Sequence, residues 1–273
     1  MITKEGFKDK YNSIYKKNNF FNYELSMKTH QILKDNYHEQ KFESDKFKIL
    51  IIGDSHSIDL FFAFITNQDL FNEYEFQRYG YNGNDDSINF NKHTTIKAFQ
   101  KFEDSELFKK ADIILVSDFI NKDEDLQKLE QFIFYFKEKK KIVLTTVSNI
   151  YKHKLRHGTF NNLNLFDYYF LDTRKKKENI DENITLQDIN SINNIYFENR
   201  KFNPINDKIK LLSKKYRLKL LEKEDYQCDI LRKKCYGITN DGLKIFTDGT
   251  HYSLDGSKFF GKKIYDINWL KLK

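Results

Sequence analysis

Apolar residues fall along this chain in two alternating patterns. Residues 48–53, "KILIIG", form an unbroken apolar run closed by glycine, as in a strand buried on both faces of a parallel sheet, and residues 57–66 read as the helix that follows. "EYEFQRYG" (73–80) is a second strand candidate ending at Gly80, and "ADIILVSDF" (111–119) a third. Between 124 and 140 the apolar residues Leu126, Leu129, Phe132, Ile133 and Phe136 fall on one helical face, and "KIVLTTVSN" (141–149) follows as a fourth strand. Pro204 opens a helix expected to reach Tyr216, and "RLKLLEK" (217–223) is a fifth strand. Strands alternating with helices predict a mostly parallel sheet covered on both faces, an α/β three-layer sandwich.

Two segments stand outside that alternation. Residues 1–46 are polar and aromatic with helical spacing in places, and are expected to be a helical extension ahead of a main domain at 47–273. Residues 150–203 mix aromatics, charges and asparagines over a length too great for a plain connection, so a cap or lid over one end of the sheet is expected. The excess of Lys, Asn, Ile and Phe reads as nucleotide bias of the source genome, not as low complexity. At 273 residues and 39% hydrophobic content, the chain can bury a full core.

Charge changes the picture little. Lys and Arg number 47 against 40 Asp and Glu, a formal +7, but acids are interspersed and the basic clusters at 137–141 and 174–177 are short. The first ends the expected helix, where cations complement the helix dipole. Solvated surface is thus a better reading than nucleic-acid binding, which would predict strongly salt-dependent association. No apolar run is long enough to cross a bilayer and the N-terminus lacks the apolar core of a secretion signal, so the chain as it stands reads as soluble and cytoplasmic. Two cysteines, Cys228 and Cys235, are too few for a zinc site or a disulfide-built scaffold, though they could pair locally in an oxidising compartment.

Parallel sheets place functional groups beyond the carboxyl ends of their strands. In "GDSHS" (53–57), Ser55 lies two residues past the first strand, at a helix start whose backbone N–H groups and dipole favour negative charge. It is placed to be a nucleophile, with its own N–H facing the oxyanion formed on attack. The bland alternative makes Ser55 or Ser57 an N-cap. A nucleophilic serine needs a base, and "IFTDGTHYSLDG" (245–256) supplies Asp248 and His251, spaced so that the carboxylate can orient the imidazole. His56 adjoins the serine but diverges from it on the helix start, so local packing is its expected use. His153, Arg156 and His157 could meet substrate from the expected lid, whereas the aromatics of 150–200 are expected to pack the core more than to stack on sugars.

"GDSHS" and "DGTHYSLDG" resemble the first and last sequence blocks of the SGNH hydrolases. Residues 228–264, "CDILRKKCYGITNDGLKIFTDGTHYSLDGSKFFGKKI", resemble the end of the SGNH domains fused to membrane acyltransferases of the acyltransferase-three family, where a cysteine pair, a glycine turn, a strand, Asp-x-x-His and a Ser-x-x-Gly helix start follow in that order. The resemblance implies an SGNH, flavodoxin-like α/β/α sandwich with Ser55 as nucleophile, His251 as general base and acid, and Asp248 as its orienting partner. It implies an oxyanion hole built from the N–H groups of Ser55 and Gly80. Where the family's third block has Gly-x-Asn-Asp, this chain has Ser117 and Asp118, leaving Asn82, Asn84 and Asn149 as candidate replacement donors.

The implied chemistry is transfer or hydrolysis of a small acyl group, acetyl first, on a carbohydrate hydroxyl of a surface glycan, with no metal or organic cofactor. The implied partners are a glycan acceptor, a small acyl donor and a membrane acyltransferase, with no nucleic acid. If the chain is excised from such an enzyme, its place is the periplasm or the extracellular face, with the cysteines paired. The rival reading is a catalytically idle glycan-binding module on the same fold.

Overall fold

The computed structural model describes residues 41–80, 88–90, 95–148, 165–169, 185–200, 203–247 and 249–272, with the backbone alone for 167 and 168. Five parallel strands, β1 (Phe47–Ile52), β2 (Tyr74–Arg78), β3 (Ile113–Val116), β4 (Lys141–Thr145) and β5 (Lys219–Leu221), form one sheet in the order β2-β1-β3-β4-β5. Helix α1 (Ser55–Ile65) joins β1 to β2. Helices α2 (Ile96–Asp104) and α3 (Glu106–Lys110) precede β3, and α4 (Asp123–Phe136) precedes β4. Helices α5 (Leu165–Tyr168), α6 (Leu186–Glu198) and α7 (Ile205–Lys215) precede β5. Then come α8 (Glu224–Gln227), a hairpin of β6 (Cys228–Asp229) and β7 (Lys234–Cys235), and α9 (Leu254–Asp266).

The expected α/β sandwich is the fold observed. Central strands β1, β3 and β4 are buried on both faces because they carry apolar residues at consecutive positions. Leu50, Ile52, Ile114, Val116, Ile142 and Leu144 share a core with Phe99 and Phe102 of α2, Phe132 and Phe136 of α4, and Ile209 and Leu212 of α7. The alternate residues Ile49, Ile51, Ile113, Leu115 and Val143 are equally buried and face the other way. On that side Phe64 of α1 stacks on Phe76 of β2 at 4.3 Å, and Gly261 lets α9 meet the Ala63 carbonyl where a Cβ would collide.

Boundaries differ from expectation at the carboxyl ends. The third strand stops at Val116 and the fourth at Thr145, so that Ser117, Asp118 and Ser148 belong to loops above the sheet. Helix α4 ends at Phe136, and the basic cluster beyond it is spent on packing: Lys139 lies 4.0 Å from the Tyr135 ring centre, and Lys140 donates to the carbonyls of Lys109 and Ala111 at the end of α3. The cluster at 174–177 lies outside the described residues. Helices α2 and α3, capped by Thr95 and Ser105, are additions to the expected elements.

The chain divides into two compact units. The described residues 41–148, 203–226 and 260–272 make the sheet unit; 165–200 and 227–259 make the second. Of the expected helical extension, 1–40 lie outside the described residues, and 41–46 are a non-helical segment whose Glu43 and Ser44 N–H groups donate to Glu75 of β2. The expected lid likewise lies largely outside them. In the second unit Cys228 and Cys235 face one another across the β6–β7 ladder and are joined as a disulfide.

Candidate active site

The sheet order reverses direction between β1 and β3, and in such sheets the crevice beyond the carboxyl ends at the reversal is where ligands bind. The β1–α1 turn lies there. Gly53 has φ +133°, and a Cβ on it would strike the Ser117 carbonyl, so the ends of β1 and β3 come closer than any side chain permits. Asp54 is the N-cap of α1, its Oδ1 accepting from the N–H groups of His56 (3.0 Å) and Phe119 (3.2 Å). Capping thus falls to Asp54, and neither Ser55 nor Ser57 has that role. Ser55 is the first helical residue and is half-buried, whereas Ser57 is fully buried and donates from Oγ to the Asp54 carbonyl at 2.5 Å. His56 packs as expected, its ring stacked on Phe119 at 5.0 Å and 12°.

Arg78 ties this turn together. Tyr74, Phe76 and Arg78 share the buried face of β2, which brings a guanidinium under the turn. Its Nε donates to Ser57 Oγ (2.7 Å), Nη2 to the carbonyls of Gly53 (3.0 Å) and Asp54 (3.3 Å), and Nη1 to the carbonyl of Gly80 (3.2 Å). Gly80 has φ +78°, a left-handed conformation that glycine adopts without strain. One planar cation therefore fixes both segments from which the oxyanion donors are expected.

Beneath the turn lies a charge cluster that no motif in the sequence marks. Asp118 is buried, its Oδ2 accepting from Phe90 N–H at 2.9 Å while Oδ1 has no hydrogen-bond partner among the described residues. Burial first, then the charge of Asp54, pushes its carboxyl up to about 8, against the pull of the Phe90 and Phe119 N–H groups and of Lys223. Lys223, just past β5, is buried too, and burial lowers it to about 8 although Asp59, Asp54 and Asp118 favour its charge.

A carboxyl whose folded pKa is raised holds its proton more tightly folded than unfolded. Its contribution to stability is therefore complete below the ordinary value of 3.8 and is lost as pH climbs to about 8. Asn at this position keeps the acceptor toward Phe90 and carries no charge. Asp118→Asn is expected to gain stability relative to the wild type as pH rises from about 4 to about 8. Urea midpoints at both ends of that range measure it; an offset that does not change with pH would show that Asp118 titrates normally.

His251 belongs to the second unit, at a tight turn where its carbonyl accepts from the Thr247 N–H (2.8 Å) and Thr247 Oγ1 (3.2 Å). Its Nδ1 lies 3.4 Å from Thr250 Oγ1. The following helix start is built by "SLDG": Ser253 Oγ accepts from the Gly256 N–H (2.9 Å), and Gly256 has no Cβ to collide with the Ile245 carbonyl. Asp248 lies outside the described residues, as do Asn82, Asn84, Asn149, His153, Arg156 and His157. Ser55 and His251 thus fall in different units, and each is characterised by its own surroundings.

No protein-family model and no curated protein sequence matches the chain. Among solved structures, the chain is similar to the periplasmic domain of a lipopolysaccharide acetyltransferase from Salmonella ser. Paratyphi A, with 12% identity, TM-score 0.53, and coverage of 93% of this chain and 96% of that one. A proposed acylhydrolase from Bacteroides fragilis NCTC 9343 matches at 13% identity and TM-score 0.42, covering 87% of this chain and 94% of that one. The likeness to the Salmonella domain shows the fold alone, and that fold is the α/β sandwich expected from the alternation of strands and helices.

Proposed function

We propose that the chain is a serine-dependent acyl-ester enzyme, an O-acetyltransferase or O-acetylesterase acting on a carbohydrate hydroxyl of a surface glycan. The observation that carries this reading is Ser55, half-exposed at the first position of a capped helix beyond the β1–β3 reversal, its turn held from below by Arg78. Ser55 Oγ attacks the acyl carbonyl carbon while His251, oriented by Asp248, takes the hydroxyl proton. The C–O bond to the donor alcohol breaks, His251 returns the proton to that alcohol, and an acyl-serine remains. A sugar hydroxyl or water then attacks the acyl-serine, its proton passing to His251 and on to Ser55. The N–H groups of Ser55 and Gly80 are the proposed oxyanion donors.

Transfer prevails over hydrolysis to the extent that the site excludes water. The lipopolysaccharide acetyltransferase among the similar structures favours a glycan acceptor, work outside the cytoplasm and a membrane acyltransferase as partner. The Cys228–Cys235 disulfide fits that compartment.

A fluorophosphonate probe, followed by mass spectrometry of the adduct, tests the reading. Ser55 is expected to label in the wild type and to stay unlabelled in His251→Ala. A folded wild type that takes no label would overturn the triad and favour the glycan-binding module.

A further inference from the structure

The hairpin of the second unit presents an unusual tip. Its disulfide closes residues 228–235, and the base is fastened to α6 by Lys234 Nζ on Asn190 Oδ1 (2.6 Å) and by the Gly237 N–H on Asn193 Oδ1 (3.0 Å). The loop is held in turn: the Lys233 N–H donates to the Ile230 carbonyl (3.2 Å), the Arg232 N–H to Asp229 Oδ1 (3.0 Å), and Lys233 sits at φ +52°. What this rigid frame holds outward is apolar. Leu231 is 97% exposed and Ile230 49%, next to Arg232, Lys233 and Lys234.

A braced loop that keeps two adjacent aliphatic side chains in water, bordered by the exposed cations Arg232 and Lys233, with Arg232 Nε 3.6 Å from Asp229 Oδ2, is built for an amphipathic surface. Four exposed residues are too few for a stable protein interface, which buries about 800 Å² on each partner. They suffice for a lipid surface, where aliphatic tips enter the acyl boundary and Lys or Arg meets anionic headgroups. We propose that the 228–235 hairpin docks the protein, weakly and reversibly, on an anionic phospholipid membrane through Ile230 and Leu231, with Arg232 and Lys233 on the headgroups. The proposal is independent of the acyl-transfer reading, and the tip variants are expected to keep wild-type rates on a soluble ester.

Co-sedimentation with vesicles tests it, comparing phosphatidylglycerol mixed into phosphatidylcholine with phosphatidylcholine alone. The wild type is expected to bind the anionic vesicles and to release them when salt rises from about 50 to about 500 mM. Ile230→Ser with Leu231→Ser is expected to weaken binding by at least about tenfold, because the apolar insertion is lost. Arg232→Gln with Lys233→Gln should also weaken it and flatten its salt dependence. Phe134→Ser removes a 71% exposed ring from the sheet unit and should change nothing. Absence of wild-type binding overturns the proposal, as does equal binding by the double serine variant, which would assign adsorption to the net +7 alone. Loss of self-association in the serine variant, without any effect of vesicles, would assign the tip to a protein partner and equally overturn it.

Discussion

Replacing Ser55 by alanine is expected to lower the rate of p-nitrophenyl acetate turnover by about 10⁴-fold or more, the usual consequence of removing a triad nucleophile. The same substitution should leave stability within about 0.5 kcal/mol, because Ser55 does not cap its helix. Asp54 does that, through the His56 N–H, and alanine is well tolerated at the first helical position. The pairing of a large kinetic effect with a negligible one on the urea midpoint separates chemistry from folding. A comparable loss of stability would mean that Ser55 is a structural residue of the turn. An unchanged rate would place any esterase activity elsewhere.

The readable parts of this fold are those in which one local period decides the outcome. The runs at 48–52, 113–116 and 141–145 are apolar at successive positions because both faces are covered, and no helix of a half-exposed kind would carry them. Helices α2 and α3 escape such a reading because Ser105 interrupts the pattern, ending one short helix and capping the next, so neither reaches the length at which periodicity speaks. Ser55 and His251 stand out from the other serines and histidines through the glycine before Asp54 and the Ser-x-x-Gly start after His251, each a backbone device with a local signature. Arg78 carries a signal too: in "YEFQR" it occupies the same alternate face as Tyr74 and Phe76, and a cation on a buried face needs acceptors. Lys223 carries none, since its burial depends on the strands and loops around it and not on its neighbours in sequence.

Arg78 is where the second large effect is expected. Its guanidinium serves four acceptors, Ser57 Oγ and the carbonyls of Gly53, Asp54 and Gly80, contributed by the β1–α1 turn, the first turn of α1 and the end of β2. Methionine fills similar volume but takes this donor from Ser57 Oγ and the Gly53 and Gly80 carbonyls, while the Asp54 carbonyl keeps the Ser57 N–H and Oγ; each buried acceptor left unmet costs about 1–3 kcal/mol, so a loss of several kcal/mol is expected. Lysine restores the charge without the planar fork and can reach only part of the set, so Arg78→Lys should recover only part of the stability. Because the Ser55 turn and Gly80 lose their common brace, kcat on p-nitrophenyl acetate is expected to fall about 10²-fold or more in either variant, with KM changed much less. Urea unfolding and steady-state kinetics on the folded fraction measure the two effects independently. If stability falls while kcat of the folded enzyme holds, Arg78 supports the sheet edge alone, and the two backbone segments keep their geometry without it.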